Sequence, residues 1–243
     1  MTSPGTRTTD AALRTTRGVS EFFDGVFRRL DTWRAAMEAG ASPDPAGLDA
    51  LVYPLVEPEL TGESPLLIGA GFIAAPDYVR GRRLHFSWWL GPLDSNPLFG
   101  TTRVPTRLDL SAREYVDYLN DFRTLEWYSV PESTHQRHVT GPYVDHLCTC
   151  DYILTLTMPV QVDGAMIGVV GADVSVKRTE AALLPLLESL DVPSALISRV
   201  GRVLVSTDPN LTVGSLVPPV PGSDPAEPGL PCPGTTFFLD LRK

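Results

Sequence analysis

The stretch YILTLTMPVQVDGAMIGVVGADV, Tyr152 to Val174, decides the fold. Two β-rich runs, Tyr152 to Val160 and Ala165 to Val174, are joined through Val162-Asp163-Gly164. Asp-Gly is a favoured pair for a two-residue hairpin turn, because such a turn needs positive φ at its centre. An antiparallel hairpin is therefore expected. After it, Ala181, Leu184, Leu187 and Leu190 recur at helical spacing within Arg178 to Leu190. Ala195 to Val200 and Val203 to Ser206 then flank Gly201-Arg202 as a second hairpin, so the pattern restarts on a smaller scale after about residue 177.

Upstream, Leu66 to Ala75 (LLIGAGFIAA) and Leu84 to Leu90 (LHFSWWL) are short, apolar and bounded by Pro76-Asp77 and Gly91-Pro92, which predicts two more strands. Before them, Leu13, Val19, Phe22, Phe23, Val26, Phe27, Leu30, Trp33 and Met37 mark one oily face of a long helix from about Thr8 to Ala39. Asp44 and Pro45 are an N-cap and first-turn pair for a shorter helix through Leu51, which Pro54 and Pro58 are expected to break. Ser111-Ala112-Arg113-Glu114 is a capping box opening a helix that carries Tyr115, Tyr118, Leu119 and Phe122, and an aromatic loop, Trp127 to Pro131, is expected to follow.

Proline, 23 of 243 residues, is roughly twice as common as the usual ~5%. Seven of these prolines fall in Val217 to Gly234, a long loop, and Thr235 to Leu241 beyond it is strand-like. The order of elements predicts an α+β fold with antiparallel sheets.

Composition narrows the function. A net charge of -9 disfavours nucleic acid and anionic membrane surfaces as partners. The sequence shows no apolar run of spanning length and no secretory leader, which gives the expectation of a cytoplasmic protein. Phosphate-binding glycine loops, nucleophile elbows and metalloprotease helix motifs are all missing from the sequence, so no enzymatic activity and no cofactor are expected.

Two clusters remain. His135, His138, His146, Cys148, Cys150 and Asp151 carry imidazole and thiolate chemistry suited to zinc or redox work, although their spacing matches no structural zinc pattern. This is the alternative reading. Glu126-Trp127-Tyr128, Gly141-Pro142-Tyr143-Val144-Asp145 and Gly171-Ala172-Asp173 instead place aromatic rings and carboxylates around one hairpin. Aromatic faces attract a cation and carboxylates accept its N–H bonds, so this set suits an ammonium group.

Trp127-Tyr128, Tyr143-x-Asp145 and Asp173, with TLTMPVQVDGAMIGVVGADVSV and ISRVGRVLVSTDP, resemble the double-Cache (PAS-like, PDC-type) sensor domains of bacterial receptors. The resemblance implies a long N-terminal helix over residues 1–45, a ligand-binding Cache module over 46–176 and a smaller second module with the proline-rich loop over 177–243. In amino-acid-binding members, an arginine two residues before the Trp-Tyr pair clamps the ligand carboxylate, while Tyr-x-Asp and the later Asp hold the amine. Here that arginine position is Leu125, with Arg123 two residues further back; the family's upstream tyrosine falls near Asn120, with Tyr118 the nearest candidate.

The resemblance thus implies a site of Tyr118, Arg123, Trp127, Tyr128, Tyr143, Asp145 and Asp173, with no metal. An apolar side chain cannot replace a guanidinium clamp without leaving a carboxylate unpaired. Either Arg123 swings in or the ligand has no carboxylate, and an amine-bearing metabolite, amine or amino-acid-like, is expected over a standard α-amino acid. Family receptors place this domain between two spanning helices, and neither is evident here, so a sensor acting on a separate regulatory partner is expected. The oily stripe of the N-terminal helix suits a homodimer contact or packing on the protein's own sheet equally well.

Overall fold

A computed structural model describes residues 4–94, 96, 100–108, 122–145, 151–217 and 228–242. Their elements are helix α1 (Pro4–Gly40), α2 (Pro45–Leu60), strands β1 (Leu67–Ala74), β2 (Phe86–Leu90) and β3 (Thr106–Arg107), a single 3-10 turn at Phe122–Thr124, α3 (Glu126–Thr134), β4 (His138–Val144), β5 (Tyr152–Val162), β6 (Ala165–Ser175), α4 (Val176–Glu188), β7 (Ser194–Ser198), β8 (Val203–Ser206), β9 (Leu230–Pro231) and β10 (Phe237–Leu241). The expected capping-box helix and Tyr118 lie outside the described residues, as do His146, Cys148, Cys150 and most of the proline-rich loop.

Six strands form one sheet in the order β3-β2-β1-β6-β5-β4, and four form a smaller one, β8-β7-β10-β9. The chain divides into two compact units, one of Met1–Val26, Gly141–Tyr143 and Val176–Lys243, the other of Phe27–Thr140 and Val144–Ser175. The β5–β6 hairpin turns where expected: Asp163 and Gly164 have φ of 52° and 79°, the left-handed conformation that this turn demands. From Ile167 onward β6 is buried on both faces. Its sequence is accordingly a continuous apolar run that admits glycine, without strict alternation.

Register sorts the larger sheet into two faces. Phe72 of β1 and Ala172 and Val174 of β6 share one face, on the α2 side; the buried Leu48, Val52, Val56 and Leu60 recur every fourth residue of that helix, and its Tyr53 ring lies 5.3 Å from Trp89. The other face carries Phe86, Trp88 and Leu90 of β2, Ile73, Gly71 and Gly69 of β1, Val169, Gly171 and Asp173 of β6, and Thr157 and Thr155 of β5. Side chains of period two make this assignment unambiguous.

The smaller unit is closed by its own core. Ala195, Ile197, Val203, Val217 and Phe238 pack together with Leu211. Phe23 of α1 stacks on Phe237, and Thr15 donates to the Leu186 carbonyl.

Several expectations need correction. Asp44 caps α2 as expected, accepting from the Gly47 N–H at 2.7 Å, but the helix runs through Pro54 and Pro58 to Leu60. Both prolines lie on the solvent face, where water reaches the carbonyls that their missing N–H groups leave unbonded. Trp127 to Pro131 is not a loop: it lies in α3, which starts at Leu125 with no side-chain cap and contains Pro131. His138 stands on β4, and His135 ends α3 in a left-handed conformation, its N–H donating to the Pro131 carbonyl. In α4 the buried stripe is Val176, Thr179, Leu183 and Leu187; Ala181 is exposed, as is Leu13 of α1.

Candidate ligand site

The residues of interest stand on the face of the larger sheet away from α2. β6 puts Asp173 opposite Thr155 on one side and Gly69 on the other. Asp173 is 5% exposed, and its Oδ1 accepts the Thr155 hydroxyl at 2.6 Å. Burial pushes its carboxyl well above the ordinary aspartate range, and the nearby Asp145 charge pushes it further, while the Thr155 bond pulls the other way. Among the described residues no cationic side chain pairs with Asp173.

Asp145 is buried just beyond β4, where its backbone N–H donates to the Asp151 carbonyl. The structure therefore brings the two expected aspartates together. Tyr143, two residues earlier on β4, is half-buried and groups with the other unit.

α3 brings in the aromatic pair. Thr157, one pleat along from Thr155, donates to the Trp127 carbonyl at 2.8 Å and so holds the start of α3 against this face. Trp127 stacks on Phe122 with ring centres 5.8 Å apart, and Tyr128 meets Phe122 edge-on at 4.7 Å. These rings join Phe86, Trp88, Leu90, Ile73 and Val169 in one apolar cluster. Burial and the Glu132 charge push the Tyr128 phenol up to about 12, so it stays a neutral donor at physiological pH.

The arginine question has a geometric answer for the residues described. Leu125 packs its side chain against the aromatic cluster. Arg123 is more than half exposed and pairs with Glu132 at 3.2 Å. Tyr118 lies outside the described residues.

Sequence reasoning missed one neighbour of these residues. Trp88 reads as an ordinary strand residue, yet its indole lies across Gly69 and Gly171: a Cβ on Gly69 would sit 2.9 Å from Nε1, and one on Gly171 would sit 3.4 Å from Cζ3. The signal that could have found it is the glycine pair itself, since glycine inside a strand marks a close approach by something else.

The histidines go elsewhere. His138 Nε2 lies 2.8 Å from Glu126 and His135 Nδ1 lies 2.9 Å from Gln161 Nε2. Among the described residues no three His, Cys, Asp or Glu side chains converge as metal ligands. The buried Cys232 thiol is pushed up to about 12 by burial, far from thiolate reactivity. His146, Cys148 and Cys150 lie outside the described residues.

Residues 84–180, which span β2 through the start of α4 and hold Trp88, Trp127, Tyr128, Asp145 and Asp173, match the family model for the methyl-accepting chemotaxis protein-like, first PDC sensor domain. That stretch is similar to a PDC-type sensor domain. Solved structures share the fold of this chain. The ligand-binding domain of the Pseudomonas aeruginosa amino acid chemoreceptor PctC, in complex with GABA, aligns at a TM-score of 0.57 and 18% identity over 96% of this chain and 97% of that one. The Campylobacter jejuni chemoreceptor Tlp3 domain with L-valine aligns at 0.59 and 16% identity over 87% of this chain and 74% of that one.

In sequence, the chain is similar to two Pseudomonas aeruginosa methyl-accepting chemotaxis proteins. PctB is 29% identical over 53% of the chain, and TlpQ is 27% identical over 66%. The matched regions are 22% and 21% of those relatives, so the chain spans about a fifth of their length. No helix among the described residues is long and apolar enough to cross a membrane.

Proposed function

We propose that this domain senses a small protonated amine, held by Asp173 and Asp145 beside the Trp127 ring. The observation that carries the reading is a buried carboxylate set beside a second one: burial and the Asp145 charge make ionising Asp173 costly, and an ammonium group bound there lowers that cost. Trp127 offers an aromatic face to the same cation.

The ligands named for the related structures, GABA, L-valine and, for PctB, L-Arg, share a protonated amine and a carboxylate. This chain keeps groups for the first and has an apolar Leu125 packed against the aromatic cluster at the position implied for the second. The reading is therefore an amine without a neighbouring carboxylate, whose occupancy is passed to a protein partner.

A thermal-shift screen of amines and amino acids tests it. A ligand at one hundred times its Kd adds about 2.7 kcal/mol of stability. Amines are expected to give such a shift, and Asp173→Ala to abolish it. A shift that survives Asp173→Ala contradicts the site.

A further inference from the structure

Strand β2 supplies a polar group that the amine site described above leaves unused. Trp88 is 3% exposed, and its Nε1 has no hydrogen-bond partner among the described residues. Buried indole N–H groups usually find an acceptor, and an unmade bond here is costly. The position of this one is informative. A Cβ on Gly69 would lie 2.9 Å from Trp88 Nε1 and 3.2 Å from Asp173 Oδ2, so the two atoms border one small volume that Gly69 keeps clear of any side chain.

The ring orientation adds to this. Cζ3, at the far end of the indole, lies over Gly171, which turns the Nε1 end towards Asp173. Asp173 Oδ1 is taken by Thr155, and Oδ2 is the oxygen on the Trp88 side. No hydrogen bond joins Nε1 to Oδ2. A donor and an acceptor thus stand on the same side of Gly69, unlinked, on two buried side chains.

We propose that Trp88 determines specificity at this site: its indole N–H donates to an uncharged oxygen carried by the ligand, while Asp173 Oδ2 accepts from the ligand's ammonium group. The inference rests on the amine reading above. The oxygen is uncharged because a carboxylate placed beside Asp173 and Asp145 would be repelled by both. The ligand class is then an amine bearing a hydroxyl, ether or carbonyl oxygen a few bonds from the nitrogen.

Titration calorimetry with 3-aminopropan-1-ol and butylamine, which differ by a hydroxyl in place of a methyl group, tests this on wild type, Trp88→Phe and Asp173→Asn. Wild type is expected to favour the amino alcohol by about tenfold or more, since the methyl group leaves the buried donor unpaired. Trp88→Phe keeps an aromatic ring and deletes the indole N–H; the preference for the amino alcohol over butylamine is expected to fall to within about twofold. In wild type, the indole 1H–15N resonance that Trp88→Phe removes is expected to shift with the amino alcohol and to stay in place with butylamine. Equal affinities in wild type, or a preference that survives Trp88→Phe, overturn the role of Trp88 while leaving the amine site standing. Failure of both amines to bind wild type, or binding that Asp173→Asn leaves intact, overturns the amine site and the inference with it.

Discussion

Each unit of the molecule buries an aspartate on an inner strand of its sheet, and the two are treated differently. Asp240 on β10 has the Arg242 guanidinium 2.8 Å away, and the same arginine lies 3.7 Å from Asp208. Asp173 on β6 has a threonine hydroxyl and a second aspartate. The floors differ in the same sense. Around the first, Ile197, Val203 and Phe238 fill the small sheet's core; around the second, Gly69 and Gly171 leave room for an indole to lie across the sheet. A buried charge that brings its own counter-ion is paired within the fold, whereas Asp173, on the function proposed above, takes its counter-ion from a ligand.

The largest effect that would break this contrast is at Asp173. Asp173→Asn keeps an acceptor for Thr155 and removes the buried charge. Amine binding is expected to weaken by about a hundredfold or more, as measured by calorimetry. Stability should move the other way. Because the folded-state pKa is raised, the contribution of Asp173 is fully present below the unfolded value of about 3.9 and is lost as pH rises through the folded pKa. Ligand-free Asp173→Asn is therefore expected to melt above wild type at neutral pH, with the gap closing on acidification.

The matching change in the small unit is Arg242→Met, which strips Asp240 of its partner. A loss of about 1–3 kcal/mol is expected in denaturant unfolding, reduced from the cost at a fully buried pair because the Arg242 side chain is 28% exposed. Amine affinity should not change. If instead Arg242→Met abolished binding and Asp173→Asn did not, the assignment of the two aspartates would be reversed.

Gly69→Ala is a smaller perturbation. The added methyl would crowd Trp88 Nε1 and Asp173 Oδ2, at 2.9 and 3.2 Å, and the indole must shift. Amine affinity is expected to fall by about tenfold with the fold retained, read by calorimetry alongside circular dichroism. The smallest effect is Arg123→Ala, expected to alter amine affinity by less than about twofold because that arginine faces Glu132 at the surface.

Much of this contrast was legible in the sequence where a local rule has one outcome. Asp163-Gly164 forces a tight turn, which sets the β5–β6 register and so the face that Asp173 occupies. Trp127, Tyr128, Asp145 and Asp173 were visible as a set because aromatic rings beside carboxylates are chemically uncommon neighbours. Elements that break local rules were harder to see. α2 carries two prolines that are harmless only because they face solvent, and α3 begins at Leu125 without a capping side chain and holds Pro131. Trp88 was hidden for another reason: its unpaired N–H is a property of neighbours brought by β1 and β6, and no window of sequence contains them.

The most direct test follows the Asp173 carboxyl itself by carbon-13 NMR, titrated against pH with and without a saturating amine. Without ligand, Asp173 is expected to titrate well above the ordinary aspartate range, and Asp173→Asn identifies the resonance. With the amine bound, its pKa is expected to drop, because the ammonium supplies the missing counter-charge. An Asp173 that titrates in the ordinary range when ligand-free, or whose pKa the amine leaves unmoved, contradicts the claim that the Asp173 carboxylate receives a cation.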